Sequence, residues 1–192
     1  MTKRDQQKAD RREQILQCSL DMIISRGYEA MKIRDIAEKC QISTGLFFNY
    51  FASKEAVYEE LIKIGFSGPM SVLKLNTEGI RPIEFFEKMT EAIFQALKTY
   101  SLTAKMFLLM SDALKSEGAP ESIKKLISQF DVTTPILPVI LSGQAAGEIK
   151  PGDPLALTIA YWGAVMGIAE SYALHPELPL PESTWVVDIL RA

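Results

Sequence analysis

Apolar residues recur along this chain at the spacing of a helix, and nowhere do they alternate long enough to build a sheet. Ile15, Leu16, Ser19, Met22 and Ile23 share one face, which predicts an amphipathic helix over about 10–26, stopped by Gly27 as a C-terminal cap. Short helices are expected at about 33–40 and 44–50. Ser53 can cap a longer one from Lys54 to about 67, with Glu55 favourable in its first turn and Gly65 and Gly68-Pro69 ending it. Pro82 suits the first turn of a helix over about 82–100, which places Ile83, Phe86, Thr90, Ile93, Leu97 and Tyr100 on one stripe. Further helices are expected at about 103–116, at 120–146 with breaks at Pro135 and Pro138, and at 153–174 capped by Asp153. A last short one runs through Trp185, Val186 and Ile189. The fold class is therefore all-α, with about nine helices.

Composition narrows the class further. Of 192 residues 47% are apolar, too many for a disordered chain, and 2 Cys cannot staple a chain of this length. The longest uncharged stretches, Val132–Gly147 and Pro154–Ala169, are 16 residues each. A membrane-spanning helix needs about 20, so no membrane partner is expected and the cytoplasm is the expected location. The net charge of −3 argues against nucleic acid, but the average conceals a division. Residues 1–54 carry 10 Lys and Arg against 7 Asp and Glu; residues 55–192 carry 11 against 17. A head of +3 precedes a body of −6. Two domains are expected, a head at 1–54 with a basic tail at 1–9, and a body at 55–192.

Between Ile33 and Tyr50 the pattern fits two short helices crossing over a tight turn. Ala37 is small where they meet, Ile36, Ile42, Phe47 and Tyr50 supply buried contacts, and Ser43 can cap the second. With the first long helix this makes a three-helix head of the helix-turn-helix kind, whose second short helix would enter the major groove of DNA.

The run from Gly27 to Val57 makes the likeness specific. Gly27-Tyr28-Glu29-Ala30, Ile33-Arg34-Asp35-Ile36-Ala37-Glu38, Ile42-Ser43-Thr44-Gly45-Leu46-Phe47-Phe48-Asn49-Tyr50-Phe51 and Ser53-Lys54-Glu55-Ala56-Val57 resemble the DNA-binding head of the TetR (tetracycline-repressor-like) regulators. The resemblance implies a recognition helix from Thr44 to Tyr50. Thr44, Gly45, Leu46 and Asn49 match positions that approach bases; Phe48, Tyr50 and Lys54 match positions that meet phosphate; Lys32 and Arg34 join the DNA-facing set. Gly45 would let backbone approach DNA where a side chain would not fit. The sequence departs from the family pattern at four places. Phe48 stands where Tyr is usual, Met31 and Lys32 stand where Thr or Ser opens the second helix, Gln41 stands where Gly is usual, and Thr44 stands where Lys is common. If position 41 needs a positive φ, Gln costs about 1 kcal/mol there. Lys3, Arg4, Lys8, Arg11 and Arg12 are open to two readings, a solvated face or phosphate contacts.

For the body the resemblance implies dimerisation and an enclosed small molecule. In the helix at 153–174, Ala156, Ala160, Gly163, Ala164, Gly167 and Ser171 fall on one side and are all small. That side would pack against the same helix of a second subunit, while Leu155, Ile159, Trp162, Met166 and Ala169 would face the protomer's interior. Phe86, Thr90, Phe94, Met106, Phe107, Met110, Phe130, Trp162 and Met166 are the candidate ligand pocket, because methionine and aromatic side chains adapt to apolar ligands.

Catalytic chemistry finds no foothold. His175, the sole histidine, stands beside Pro176 where a cap or a solvated side chain is expected, and Cys18 and Cys40 lack partners for a zinc site. No catalytic residue, metal or cofactor is expected. The reading is a homodimeric, ligand-responsive transcription regulator, a repressor binding a palindromic double-stranded DNA operator and released by an apolar or amphipathic effector. The alternative is a small-molecule binding protein whose helix-turn-helix no longer reads a specific operator.

Overall fold

The computed structural model of the chain describes residues 2–73 and 79–192. Among them ten α-helices form: α1 Lys3–Arg26, α2 Ile33–Lys39, α3 Thr44–Phe48, α4 Lys54–Leu73, α5 Pro82–Thr99, α6 Ser101–Lys115, α7 Glu121–Ile127, α8 Leu137–Ala145, α9 Pro154–Leu174 and α10 Ser183–Val187. No strand forms among the described residues; Ile149 and Arg191 make an isolated antiparallel bridge. The fold is all-α, as the periodicity required. The count rises from nine to ten because 120–146 holds two helices. Asp131 accepts from the N–H groups of Thr133 and Thr134, both at 2.9 Å, and a 3-10 turn over Thr134–Ile136 carries the chain to Pro138. Proline supplies no N–H and clashes with the preceding turn, and here Pro135 and Pro138 stand in the first turns of the 3-10 segment and of α8, where neither cost arises.

Local chemistry sets most helix ends. The Ser43 hydroxyl accepts from Leu46 N–H at 3.1 Å, the Ser53 hydroxyl from Ala56 N–H at 3.2 Å, and the Asp153 carboxylate from Ala156 N–H at 2.8 Å. Each such cap is worth about 1 kcal/mol. Gly27 ends α1 at φ +78. Two ends differ from expectation. α1 begins at Lys3, so residues 3–9 are helix and not tail: Thr2 and Asp5 form a reciprocal capping box. α4 continues through Gly65 and Gly68-Pro69 to Leu73, although Pro disfavours a helix interior by about 3 kcal/mol. Its buried stripe of Val57, Tyr58, Leu61 and Ile62 supplies packing that propensity alone does not count.

The chain divides into two compact units, Met1–Gly65 with Leu109–Gln129, and Phe66–Leu108 with Phe130–Ala192. In the first, Ile15, Leu16, Ser19, Leu20, Met22 and Ile23 of α1 are buried with Ile36, Ala37 and Phe47 of α2 and α3. Ile42 and Tyr50, expected in this core, are only half-buried. In the second, Ile83, Phe86, Met89 and Phe94 of α5 share a core with Tyr161, Trp162 and Val165 of α9 and Val186 and Val187 of α10. Tyr100, expected on the stripe of α5, is its exposed C-cap.

Candidate nucleic-acid interface

α3 is five residues long and buries one of them. Phe47 is fully buried, with its ring 6.1 Å from that of Phe51. Burial of a Phe side chain contributes about 2–3 kcal/mol, enough to anchor so short a helix. Thr44, Gly45, Leu46 and Phe48 are left facing solvent, followed by exposed Asn49 and half-buried Tyr50. Phe48 is 54% exposed, its ring edge-on to Phe47 at 5.6 Å. Lys32 and Arg34, at the start of α2, are exposed as well. All nine residues expected to face DNA are at least partly in solvent, with Tyr50 and Lys54 half-buried.

Gly45 is not required by the fold. A Cβ there would meet nothing nearer than the Ser43 hydroxyl at 3.8 Å, an ordinary contact. Gln41 does take a positive φ, +55, in the turn before α3. The glycine usual at this position in the family pattern pointed to such a φ, and about 1–2 kcal/mol is lost there relative to glycine-like freedom.

Lys54 is used differently from the expected phosphate contact. Its ammonium donates to the carbonyl oxygens of Tyr28, Glu29 and Met31 at 3.3, 3.4 and 3.2 Å. An ammonium has three protons, and here three carbonyls receive them. It also lies 4.3 Å from the Tyr28 ring centroid. Beside it the Tyr28 hydroxyl donates to Glu55 Oε1 at 2.6 Å. That bond first, then the backbone N–H and the Ser53 hydroxyl, hold the Glu55 carboxyl below its ordinary value of 4.5. Tyr28 stacks on Tyr58 at 4.7 Å, and burial first, with Asp112 adding, pushes the Tyr58 hydroxyl up to about 12. This knot fastens the turn between α1 and α2 to the first turn of α4. Sequence pattern marked Lys54 and Tyr28 without indicating that they meet.

In the second unit, Phe86, Thr90, Phe94 and Trp162 are packed members of the core, and their polar atoms are satisfied. The Thr90 hydroxyl meets the Phe86 carbonyl and the Tyr161 hydroxyl, both at 2.8 Å, and Trp162 Nε1 donates to Val132 O at 3.0 Å. Phe107, Phe130 and Met166 are half-buried and Met106 is buried. Met110 belongs to the first unit, so the nine expected pocket residues do not lie in one unit.

The small side of α9 is open. Ala156, Ala160, Gly163, Gly167 and Ser171 are exposed and Ala164 is half-buried; Gly163 and Gly167 have no atom within 4 Å of a would-be Cβ. Leu155 and Ile159, expected inside, are 48% and 60% exposed, whereas Trp162 and Ala169 are buried. At about 100° per residue, Ile159 lies closer to Gly163 than to Trp162's buried neighbours. The outward face thus carries bulky apolar groups beside small ones. An apolar groove of about 330 Å³ follows it, lined by Gly163, Gly167, Ile168, Tyr172, Leu178 and Leu180 among others. No helix among the described residues is long and apolar enough to cross a membrane.

Comparisons with known proteins agree with this geometry. The family described as bacterial regulatory proteins, tetR family, matches residues 15–61. The chain is 24% identical over 113 residues, 58% of its length, to the uncharacterized HTH-type transcriptional regulator YuxN of Bacillus subtilis. It is 39% identical over 57 residues, 30% of its length, to the HTH-type transcriptional repressor KstR2 of Mycolicibacterium smegmatis. These matches span 39% and 28% of those two proteins. In fold it is similar to the crystal structure of the MbdR regulator from Azoarcus sp. CIB, with a TM-score of 0.74, 19% identity, and coverage of 93% of this chain and 96% of the other.

Proposed function

We propose that the chain is a cytoplasmic repressor of the TetR family that binds a palindromic DNA operator as a homodimer, a reading supported by the match of the tetR family to residues 15–61 and by the likeness of its fold to the MbdR regulator. An apolar or amphipathic small molecule releases it. The observation that carries the reading is α3 itself, a short helix with Phe47 buried and Thr44, Gly45, Leu46 and Phe48 outward. Such a helix, supported by α2 across a tight turn, has the shape that enters a major groove. Gly45, unneeded by the fold, suits close approach to bases, and exposed Asn49 offers both donor and acceptor to a base edge.

The open face of α9 supports the homodimer. Leu155, Ile159 and the small residues beside them form an uncharged strip that a second copy would cover. A two-fold dimer would present two recognition helices and so favour a palindrome. The aromatic side chains of the second unit, half-buried Phe107 and Phe130 among them, support an apolar effector. Release would be a population shift, with ligand favouring a form in which α4 holds the heads at a spacing the operator does not match. Coupling is reciprocal, so operator DNA weakens effector binding by the same factor. The direct test is footprinting of the DNA flanking the gene, with and without candidate apolar ligands. A protected palindrome lost on adding ligand supports the proposal; a saturating ligand that leaves operator affinity unchanged rules out this mechanism for that ligand.

A further inference from the structure

Resting on the DNA-binding reading above, we infer that α1 forms a second wall of the DNA site. The groove between its basic face and the end of α3 takes a stretch of sugar–phosphate backbone, met by Arg4, Lys8 and Arg11. This groove has a volume of about 780 Å³ and is lined by Arg4, Lys8, Asp10 and Arg11 of α1 and by Asn49 and Tyr50 after α3. One wall is thus the basic start of the chain, and the other is the end of the helix that faces bases.

The structure sorts basic residues that sequence left together. Arg4, Lys8 and Arg11 stand at i, i+4 and i+7, which sets them on one side of α1. Arg12 is one position further round and is engaged elsewhere. Its guanidinium makes a two-pronged ion pair with Glu60 and lies 4.7 Å from the Phe51 ring centroid. Arg11 donates to Gln14 Oε1 at 2.6 Å, a bond that fixes the guanidinium while leaving most of its five donors for another acceptor. Asp10, the acid in the groove, accepts from Gln6 Nε2 at 2.7 Å. The helix N-terminus itself is closed by Thr2 and Asp5, so the anion-binding groups are side chains. From Arg4 to Arg11 is about 10 Å along a helix axis at 1.5 Å per residue.

Phosphate-binding side chains fix position and carry no sequence information. Removing them weakens all duplexes alike and lowers the salt dependence of binding. The test compares the full chain with the Arg4→Ala/Lys8→Ala variant and with Arg12→Ala/Glu60→Ala, which removes an ion pair without changing net charge. Binding to a short mixed-sequence duplex and to the DNA flanking the gene is followed by fluorescence anisotropy over a KCl series, with helicity checked by circular dichroism. For Arg4→Ala/Lys8→Ala the slope of log K against log salt should fall by about 0.9 for each phosphate no longer neutralised, about 1.8 per head, on both duplexes. For Arg12→Ala/Glu60→Ala it should stay at the wild-type value. A wild-type chain that binds while Arg4→Ala/Lys8→Ala keeps its slope overturns this inference alone. A wild-type chain that binds neither duplex overturns the DNA-binding reading and this inference with it.

Discussion

The Lys54 ammonium lies 4.3 Å from the centroid of the Tyr28 ring and donates to the Tyr28 carbonyl at 3.3 Å. One residue at the start of α4 thereby holds the turn from which α2 departs. The position that in the family's pattern reaches for phosphate is here a fastening within the head. Lys54→Met keeps the stem and removes the charge. It should destabilise the chain by about 1–2 kcal/mol, the scale of charged hydrogen bonds and cation–π attraction at a half-buried site. The salt slope of DNA binding should not change. A slope reduced by about 0.9 with stability intact would make Lys54 a phosphate-binding residue after all.

Gln41 carries the turn before α3 at φ +55. Gln41→Gly removes the crowding of a side chain in the left-handed region. It should stabilise the chain by up to about 1 kcal/mol, since glycine's greater unfolded freedom offsets part of the relief. Gln41→Ala should show no gain. Urea unfolding distinguishes the two; equal stabilities would mean that the turn relaxes without strain.

Gly45 separates folding from binding. An added methyl meets only the Ser43 hydroxyl at 3.8 Å, so Gly45→Ala should raise helix stability by about 0.5–1 kcal/mol. On the proposed DNA-binding reading, the same methyl on the outside of α3 stands where bases would approach. Affinity for duplex DNA should fall about tenfold or more, equivalent to about 1.4 kcal/mol. Unchanged affinity would place the DNA elsewhere.

The Tyr28–Glu55 bond has a pH signature. The Glu55 carboxyl is held below its ordinary 4.5, chiefly by the Tyr28 hydroxyl. A lowered folded value means the contribution is complete above 4.5 and is lost as pH falls through the folded value. Tyr28→Phe should therefore cost about 1 kcal/mol at neutral pH, and the difference from wild type should shrink as pH falls below 4.5. Denaturant unfolding at a series of pH values gives the comparison. A penalty independent of pH would mean that the bond does not depend on the carboxylate's charge.

The α9 face can be charged without touching the core, since Ile159 is 60% exposed. On the homodimer proposed above, Ile159→Lys should leave helicity unchanged and halve the mass measured by light scattering, because an ammonium would be buried without a partner in the seam. A dimer that survives the change would move the seam off this face.

Much of this fold was legible because short-range chemistry decides it. Ser43, Ser53, Asp153, Pro82 and Gly27 stand at helix ends where capping rules place them. The outward residues of α3 followed from the motif. What escaped reading depends on partners distant in sequence or on weak periodicity. The first turns of α1 carry no apolar stripe, so only the Thr2–Asp5 box marks them as helix. Lys54 finds carbonyls more than twenty residues away, and Arg12 finds Glu60, where spacing is silent. Ile159 read as interior, but about 100° per residue sets it beside exposed Gly163; Leu155, in line with buried Trp162, is 48% exposed in the first turn of α9. The expected pocket gathered methionine and aromatic residues by composition. Composition does not distinguish a ligand-lining side chain from one that fills a core, as Phe86 and Trp162 do.

The most direct measurement is a nuclease footprint of the purified chain on the DNA flanking its own gene, repeated with Gly45→Ala. The expected result is a protected palindrome with wild type that fades with the variant, whose fold remains intact. Sequence-independent binding alone, equal for both proteins and with no protected palindrome, would contradict the assignment of α3 as a reader of operator DNA.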